Sequence, residues 1–150
     1  MHQSRRSFPF PPILFLLLCL GTGAAVANEV DFDSHVVHYN VINTTFLSPE
    51  VARAYDVRRS STRALANVAI MERGDSGMKP TSATVTGQAV NLNQQARTLQ
   101  FREVRDGDAI YHLAEIPVRG GEVLDFRIRV AVEGRPDPME VNFRQAFFAD

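Results

Sequence analysis

"VLDFRIRVAV", residues 123–132, alternates without a break: Leu124, Phe126, Ile128, Val130 and Val132 fall on one side, Asp125, Arg127 and Arg129 on the other. Successive side chains of a strand point to opposite faces. The stretch therefore reads as a strand with one face on a core and one in water, as antiparallel sheets arrange them. "GRPDP" (134–138) breaks the pattern with two prolines, and "MEVNFRQAFF" (139–148) resumes it through Met139, Val141 and Phe143. The two runs read as a hairpin.

Upstream, "TLQFREVRDGDAIYHLAEIPV" (98–118) carries Asp106-Gly107 between two alternating runs, a strong short-range hairpin signal. With those two residues at the turn, Arg105 faces Asp108, Phe101 faces His112 and Leu99 faces Ala114. His112 then shares a face with Leu99, Phe101 and Ile110. "RALANVAIME" (63–72) and "TSATVTGQAVN" (81–91) read as two more strands across the turn-rich "RGDSGMKP", and "SHVVHYNVIN" (34–43) as the first. About seven short strands, with helix in one place only, predict an all-β, immunoglobulin-like antiparallel sandwich. The tryptophan and disulfide of antibody domains are absent, and a small barrel is the alternative.

The single helix follows the first strand. Ser48 is a good N-cap, Pro49 suits the first helical position because its missing N–H would have no partner there, and Glu50 meets the positive end of the helix dipole. Val51, Ala52 and Tyr55 share one side, so a helix from 49 to about 56 should pack that side on the sandwich.

Residues 1–27 read as a secretory signal rather than fold. Arg5 and Arg6 precede the apolar "ILFLLLCL", and small residues follow, with Ala25 and Ala27 flanking Val26. Cleavage is expected after Ala27. The apolar run is shorter than the roughly 20 residues that cross a bilayer, and Leu18 before Cys19 does not suit lipidation, so no membrane attachment is expected after cleavage. Cys19 is the only cysteine, and its loss with the signal excludes disulfides, thiolate catalysis and cysteine metal sites. Residues 28–150 then form one domain, large enough for a self-sufficient core. It carries 14 basic against 17 acidic groups, a net charge of about −3 that does not attract nucleic acid. Lys79 is the only lysine, and arginine suits planar recognition of carboxylates.

Candidate chemistry is sparse. His35 and His38 form H-x-x-H, but residues three apart on a regular strand point to opposite faces. A copper or zinc pair of His38 with His112 is the alternative metal reading, with Met71, Met78 and Met139 as soft donors more at home in a core. No G-x-S-x-G elbow is present. Arg58 and Arg59 before Ser60, Ser61 and Thr62 form an anion-binding pattern that also suits a solvated loop. Glu115 with Glu103 or Asp125 is a conceivable carboxylate pair, yet each equally suits an arginine across a sheet face. Asn43-Thr44-Thr45 matches the N-glycosylation pattern, and Asn43 is read instead as a turn-former.

His38-Tyr39-Asn40, Asn43, Thr45-Phe46-Leu47, Pro49-Glu50-Val51-Ala52, Tyr55, Arg59-Ser60 and Asn67, with "YHLAEIPV", "LDFRIRV" and "VNFRQAFFAD", resemble an uncharacterised proteobacterial envelope family, the domain of unknown function numbered 4426. The resemblance spans nearly all of 28–150 and implies a secreted β-rich domain without adding a catalytic residue. The expected function is a non-catalytic periplasmic binding or accessory module, with no cofactor and with an envelope protein or small ligand as partner. Its expected site is the corner of Tyr39, Asn43, Arg58 and Arg59, where polar and aromatic groups sit on a loop beside a rigid scaffold.

Overall fold

Two antiparallel sheets account for most of residues 28–148, the part of the chain that the computed structural model describes. The expected signal, its cleavage point and Cys19 lie outside the described residues. In chain order the strands are β1 (Asn28–Asp31), β2 (His35–Asn43), β3 (Arg63–Gly74), β4 (Gly77–Thr81), β5 (Thr84–Asn91), β6 (Ala96–Gln100), β7 (Arg102–Asp106), β8 (Ala109–Pro117), β9 (Val123–Ala131) and β10 (Met139–Ala146). Sheet A has the order β1-β2-β3-β8-β7, with β4 also pairing β3, and sheet B has the order β10-β9-β5-β6. The twelve-residue β3 is long enough for β8 to pair its first half and β4 its second.

The alternation in 123–132 does what it predicts. Leu124, Phe126, Ile128 and Val130 of β9 are buried, and they meet Val37, Val41, Ala66, Val68 and Ile70 of sheet A in one core. β10 runs back along β9 with Val141 opposite Ile128 and Phe143 opposite Phe126, the expected hairpin. The two sheets share no backbone ladder, so the sandwich reading holds and the barrel does not.

β3 and β8 are apolar on both faces because both are covered. Their other face carries Leu65, Tyr111 and Leu113, over which the segment after β2 folds Leu47, Val51, Ala52, Tyr55 and Val57. The helix α1 (Pro49–Ala54) in this segment starts as expected, with the Ser48 hydroxyl accepting from the Val51 N–H at 3.2 Å. A single 3₁₀ turn, Thr44–Phe46, precedes it.

Three readings need correction. The run through 98–106 is two strands, not one: β6 belongs to sheet B, where Leu99 pairs Gly87, and after Phe101 the chain crosses to sheet A as β7. Strands that switch sheets in this way form the corners of sandwiches. The hairpin turn is Gly107-Asp108, with Gly107 at φ 57° and Asp106 opposite Ala109, so Glu103 rather than Phe101 faces His112. A positive φ at the first turn residue is what a type II′ hairpin demands. Finally, the described residues form ten strands rather than about seven. The turn-rich "RGDSGMKP" hides the tight β3–β4 hairpin, and β1 adds a short strand on the rim of β2.

Candidate functional site

Pairing of Asn43 with Ala64 and of Ala64 with Ile116 brings the end of β2, the start of β3 and the end of β8 to one end of the sandwich. Hydrogen bonds tie the loops of this end together. Asn43 Oδ1 accepts from the Thr45 N–H at 3.1 Å and from its hydroxyl at 2.9 Å, while Asn43 Nδ2 donates to the Ser61 carbonyl at 3.1 Å. The buried Thr44 hydroxyl donates to the Ser60 carbonyl at 3.0 Å and accepts from the Ser60 N–H at 2.8 Å. Asn43 is thus the turn-former its sequence context suggests. Arg59 reaches over the same turn to the Thr45 carbonyl at 3.3 Å.

This end displays what the rest of the surface largely hides. Phe46 is 71 % exposed, Leu92 64 % and Phe148 83 %; among the described residues only Met78, at the opposite end, joins them as an exposed large apolar side chain. Their presentation is built in. The 3₁₀ turn sends Leu47 into the core and its neighbour Phe46 outward. Leu92 rides a loop held by Asn91, whose Oδ1 accepts from the Asn93 and Gln95 N–H groups at 3.0 and 2.9 Å. Beside them Arg58, Arg59 and Arg119 form no ion pair with a described residue. The carboxylates of the adjoining strand and loop are already engaged, Glu115 with Arg63 at 3.8 Å and Glu122 with Arg97, and Glu50 is drawn to the α1 N-terminus.

The Arg97–Glu122 pair fastens this end. Arg97 Nη1 donates to Glu122 Oε2 and to the Pro117 carbonyl, both at 2.9 Å, Nη2 donates to Oε1, and the Arg119 N–H adds a bond to Oε2 at 3.0 Å. The Arg97 hydrogen bonds hold the Glu122 carboxyl below its ordinary pKa of 4.5, against the upward push of burial. A carboxyl whose folded pKa is depressed contributes stability above its unfolded pKa and loses it as the pH falls through the folded value. Glu122→Gln is therefore expected to lose about 2 kcal/mol at pH 7. It should also lose less than the parent on going from pH 6 to pH 3 in urea unfolding; equal acid losses in both would show that the pair does not carry this pH dependence.

Of the four residues expected at the corner, three gather there and one does not. Asn43 and Arg59 meet around Thr45, and the Arg58 N–H is bound to Glu115 Oε1 at 3.2 Å. Tyr39 instead faces the core and stacks on Phe143 at 4.5 Å between ring centroids. The metal alternative is not assembled either. His38 pairs Ala69 on the helix-covered face of β3 and lies 3.5 Å from Glu29, whereas His112 pairs Val68 on the core face, so the two rings sit on opposite sides of one sheet. His35 and His38 diverge as their spacing requires, and His35 hydrogen-bonds the Ser34 hydroxyl at 2.8 Å. Met139 is core, and Met78 is exposed.

The carboxylates proposed as pairs are also dispersed. Asp125 holds Arg144 on sheet B, Glu115 lies at the arginine-rich end, and Glu103 binds Arg105 and the Ser82 hydroxyl. In the string Ser82–Glu103–His112 the carboxylate stands between hydroxyl and imidazole. Nucleophile activation needs the imidazole next to the hydroxyl.

The bare end and the single helical crossover define a class: a two-sheet antiparallel sandwich that displays arginine and aromatic groups from loops at one pole. Within it, the chain belongs to the family of the domain of unknown function DUF4426, whose model matches residues 29–150. It is similar to a DUF4426 family protein of Pseudomonas aeruginosa PAO1 known from a crystal structure, with 39% identity over 82% of this chain and 95% of that one and a TM-score of 0.71. It also shares its fold with FetP of uropathogenic E. coli strain F11, crystallised after expression in the E. coli periplasm, at 10% identity over 81% of this chain and 93% of that one, with a TM-score of 0.57. No curated protein matches the chain. Among the described residues no helix is long and apolar enough to cross a membrane.

Proposed function

We propose that the protein is a non-catalytic binding or accessory module of the bacterial envelope, exported to the periplasm by its N-terminal signal, that engages another envelope protein or a small ligand through the pole of Asn43, Arg58 and Arg59. The observation that carries this reading is the gathering of Phe46, Leu92 and Phe148 with Arg58, Arg59 and Arg119 at one end of the sandwich. Bare aromatic and arginine groups are the side chains that dominate protein recognition, because each brings large area or planar hydrogen bonding at low ordering cost. The loops that carry them are fixed by hydrogen bonds before any partner arrives, which lowers the entropy lost on binding.

Affinity capture from envelope extract, followed by rebinding of the purified partner, tests the reading. An Arg58→Ala/Arg59→Ala variant and a Phe46→Asp variant are each expected to reduce recovery at least about tenfold with no change in unfolding midpoint. Equal recovery by parent and both variants would remove this pole as the site.

A further inference from the structure

Two carboxylates at the bare pole hold the backbones of arginines whose side chains they leave alone. Glu115 Oε1 accepts from the Arg58 N–H at 3.2 Å, and its ion pair is with Arg63 at 3.8 Å. Glu122 Oε2 accepts from the Arg119 N–H at 3.0 Å, while its charge is taken up by two guanidinium nitrogens of Arg97. Each carboxylate therefore roots one arginine and neutralises another. The Arg97 hydrogen bonds lead the lowering of the Glu122 pKa, and the Arg119 charge is the last of its causes. Arg59 leans on a neutral acceptor, the Thr45 carbonyl. Three exposed guanidinium groups thus stand on fixed backbones with no ion pair to a described residue. Arginine forks in that state are matched by planar carboxylates from outside.

The apolar groups around them decide what carries those carboxylates. Phe46, Leu92 and Phe148 come from three separate segments, the 3₁₀ turn, the β5–β6 loop and the chain after β10, and each is at least 64 % exposed. Side chains so exposed project and enclose nothing, whereas a small-molecule site is a cleft that buries most of its ligand. The pole is a platform for a broader surface. A second copy is not that surface, because pole against pole sets arginine against arginine. An anionic bilayer is recognised by clusters of roughly four to eight basic residues. With three, on a chain that carries 14 basic against 17 acidic groups over residues 28–150, the pole falls short of that.

Taking the pole as the binding site, as proposed for the protein's function, we infer that it docks an acidic amphipathic segment of a partner protein. The segment's carboxylates reach Arg58, Arg59 and Arg119, and its apolar stripe lies across Phe46, Leu92 and Phe148. Guanidinium and carboxylate meet bidentately, and the stripe takes the projecting rings out of water. Arg119 belongs to the site on the same footing as Arg58, since the same kind of main-chain bond roots both. The charges steer the encounter and set its salt dependence, and the apolar contact holds the complex once formed.

Two synthetic helical peptides of about 18 residues, identical in their leucine stripe and carrying either glutamate or lysine elsewhere, serve as probes, with vesicles of phosphatidylcholine and phosphatidylglycerol as a third. In ¹⁵N NMR titrations the glutamate peptide is expected to move the amides of residues 46, 58, 119 and 148 saturably, and to bind at least about tenfold more weakly in 0.5 M than in 0.05 M NaCl. The lysine peptide and the vesicles should leave those amides in place. Arg58→Glu/Arg119→Glu should weaken the glutamate peptide at least about tenfold and keep the unfolding midpoint, because Glu115 and Glu122 bond main-chain N–H groups that any residue supplies. Arg127→Glu, exposed on the far face of sheet B, should leave binding unchanged. The inference is overturned by pole amides that ignore the glutamate peptide, by an equal response to the lysine peptide, or by vesicles that bind the pole when the glutamate peptide does not. Capture from envelope extract that depends on Arg58 and Phe46 while the glutamate peptide has no effect would leave the pole as the site and remove its acidic partner; capture indifferent to both variants removes the two together.

Discussion

Phe126→Ala should cost the protein about 3–5 kcal/mol of folding stability, the largest loss expected of any single truncation in the core. The ring is 1 % exposed and lies parallel to Phe143, its cross-strand partner, with centroids 4.8 Å apart and planes 3° from parallel. Phe143 in turn stacks on Tyr39 of sheet A, and Phe147 leans on Phe126 at 6.4 Å. The four rings therefore close the side of the sandwich on which β2 and β10 share no backbone ladder; Gln145 Nε2, donating to the Val41 carbonyl at 2.8 Å, and Arg135 Nη1, donating to the Ser34 hydroxyl at 3.0 Å, cross there by hydrogen bond. Removing the ring opens a cavity that neither sheet can collapse into, because each is held by its own ladder. A domain this size typically has 5–15 kcal/mol in hand, so urea unfolding of the variant should show a midpoint drop with little change in slope. Phe126→Leu, which refills much of the volume, should recover most of the loss. A Phe126→Ala penalty below about 1 kcal/mol would mean that the ring stack is not what holds the two sheets together on this side.

How much of this was open to a reader of the sequence depends on how local each signal is. The α1 start was legible because Ser48, Pro49, Glu50 and Val51 settle it among themselves. The β9–β10 hairpin was legible because the alternation of each run is intact and prolines mark the break. What failed was register and sheet membership. Periodicity of two says which residues share a face but not which strand lies alongside or in which sheet, so Leu99 and Glu103 looked like neighbours on one strand when Phe101 sends them to different sheets. A turn displaced by one residue moves the pairing by two, which keeps every side chain on its proper face and changes its partner. His112 was accordingly placed on the core face correctly and beside the wrong residue: an aromatic ring was expected and a carboxylate is there. No local pattern announces that substitution of partner. β4 went unread for a related reason, since Met78 and Pro80 on an exposed rim strand owe nothing to alternation. The bare pole was half visible. Asn43, Arg58 and Arg59 stood out as polar groups on a loop, but an apolar residue in a turn looks like core from sequence alone, so Phe46, Leu92 and Phe148 gave no sign that they face outward.

Gly87→Val should be nearly as damaging as the loss of Phe126, through the opposite fault. Gly87 lies mid-strand in β5, with Leu99 of β6 on one side and Ile128 of β9 on the other. Its backbone needs no special dihedral angle; what it needs is the missing side chain. A Cβ placed there would stand 2.8 Å from the Arg127 carbonyl oxygen, 3.2 Å from Leu99 Cδ1 and 3.3 Å from Ile128 Cα. A leucine methyl can rotate aside, but the carbonyl and the Cα belong to the central strand of sheet B, paired on both sides. Relief must come from pushing β5 away from β9 and lengthening their ladder. Gly87→Ala starts with an advantage of about 0.5–1 kcal/mol, since alanine restricts the unfolded chain and glycine does not. The clash should reverse that sign and leave a net loss of roughly 1–2 kcal/mol, and valine, with two further methyl groups in the same gap, roughly 3 kcal/mol or more. Thermal and urea unfolding of the pair read this directly. An alanine variant as stable as the parent would show that the β5–β9 spacing yields, and that the close approach at Gly87 is not a constraint on the fold.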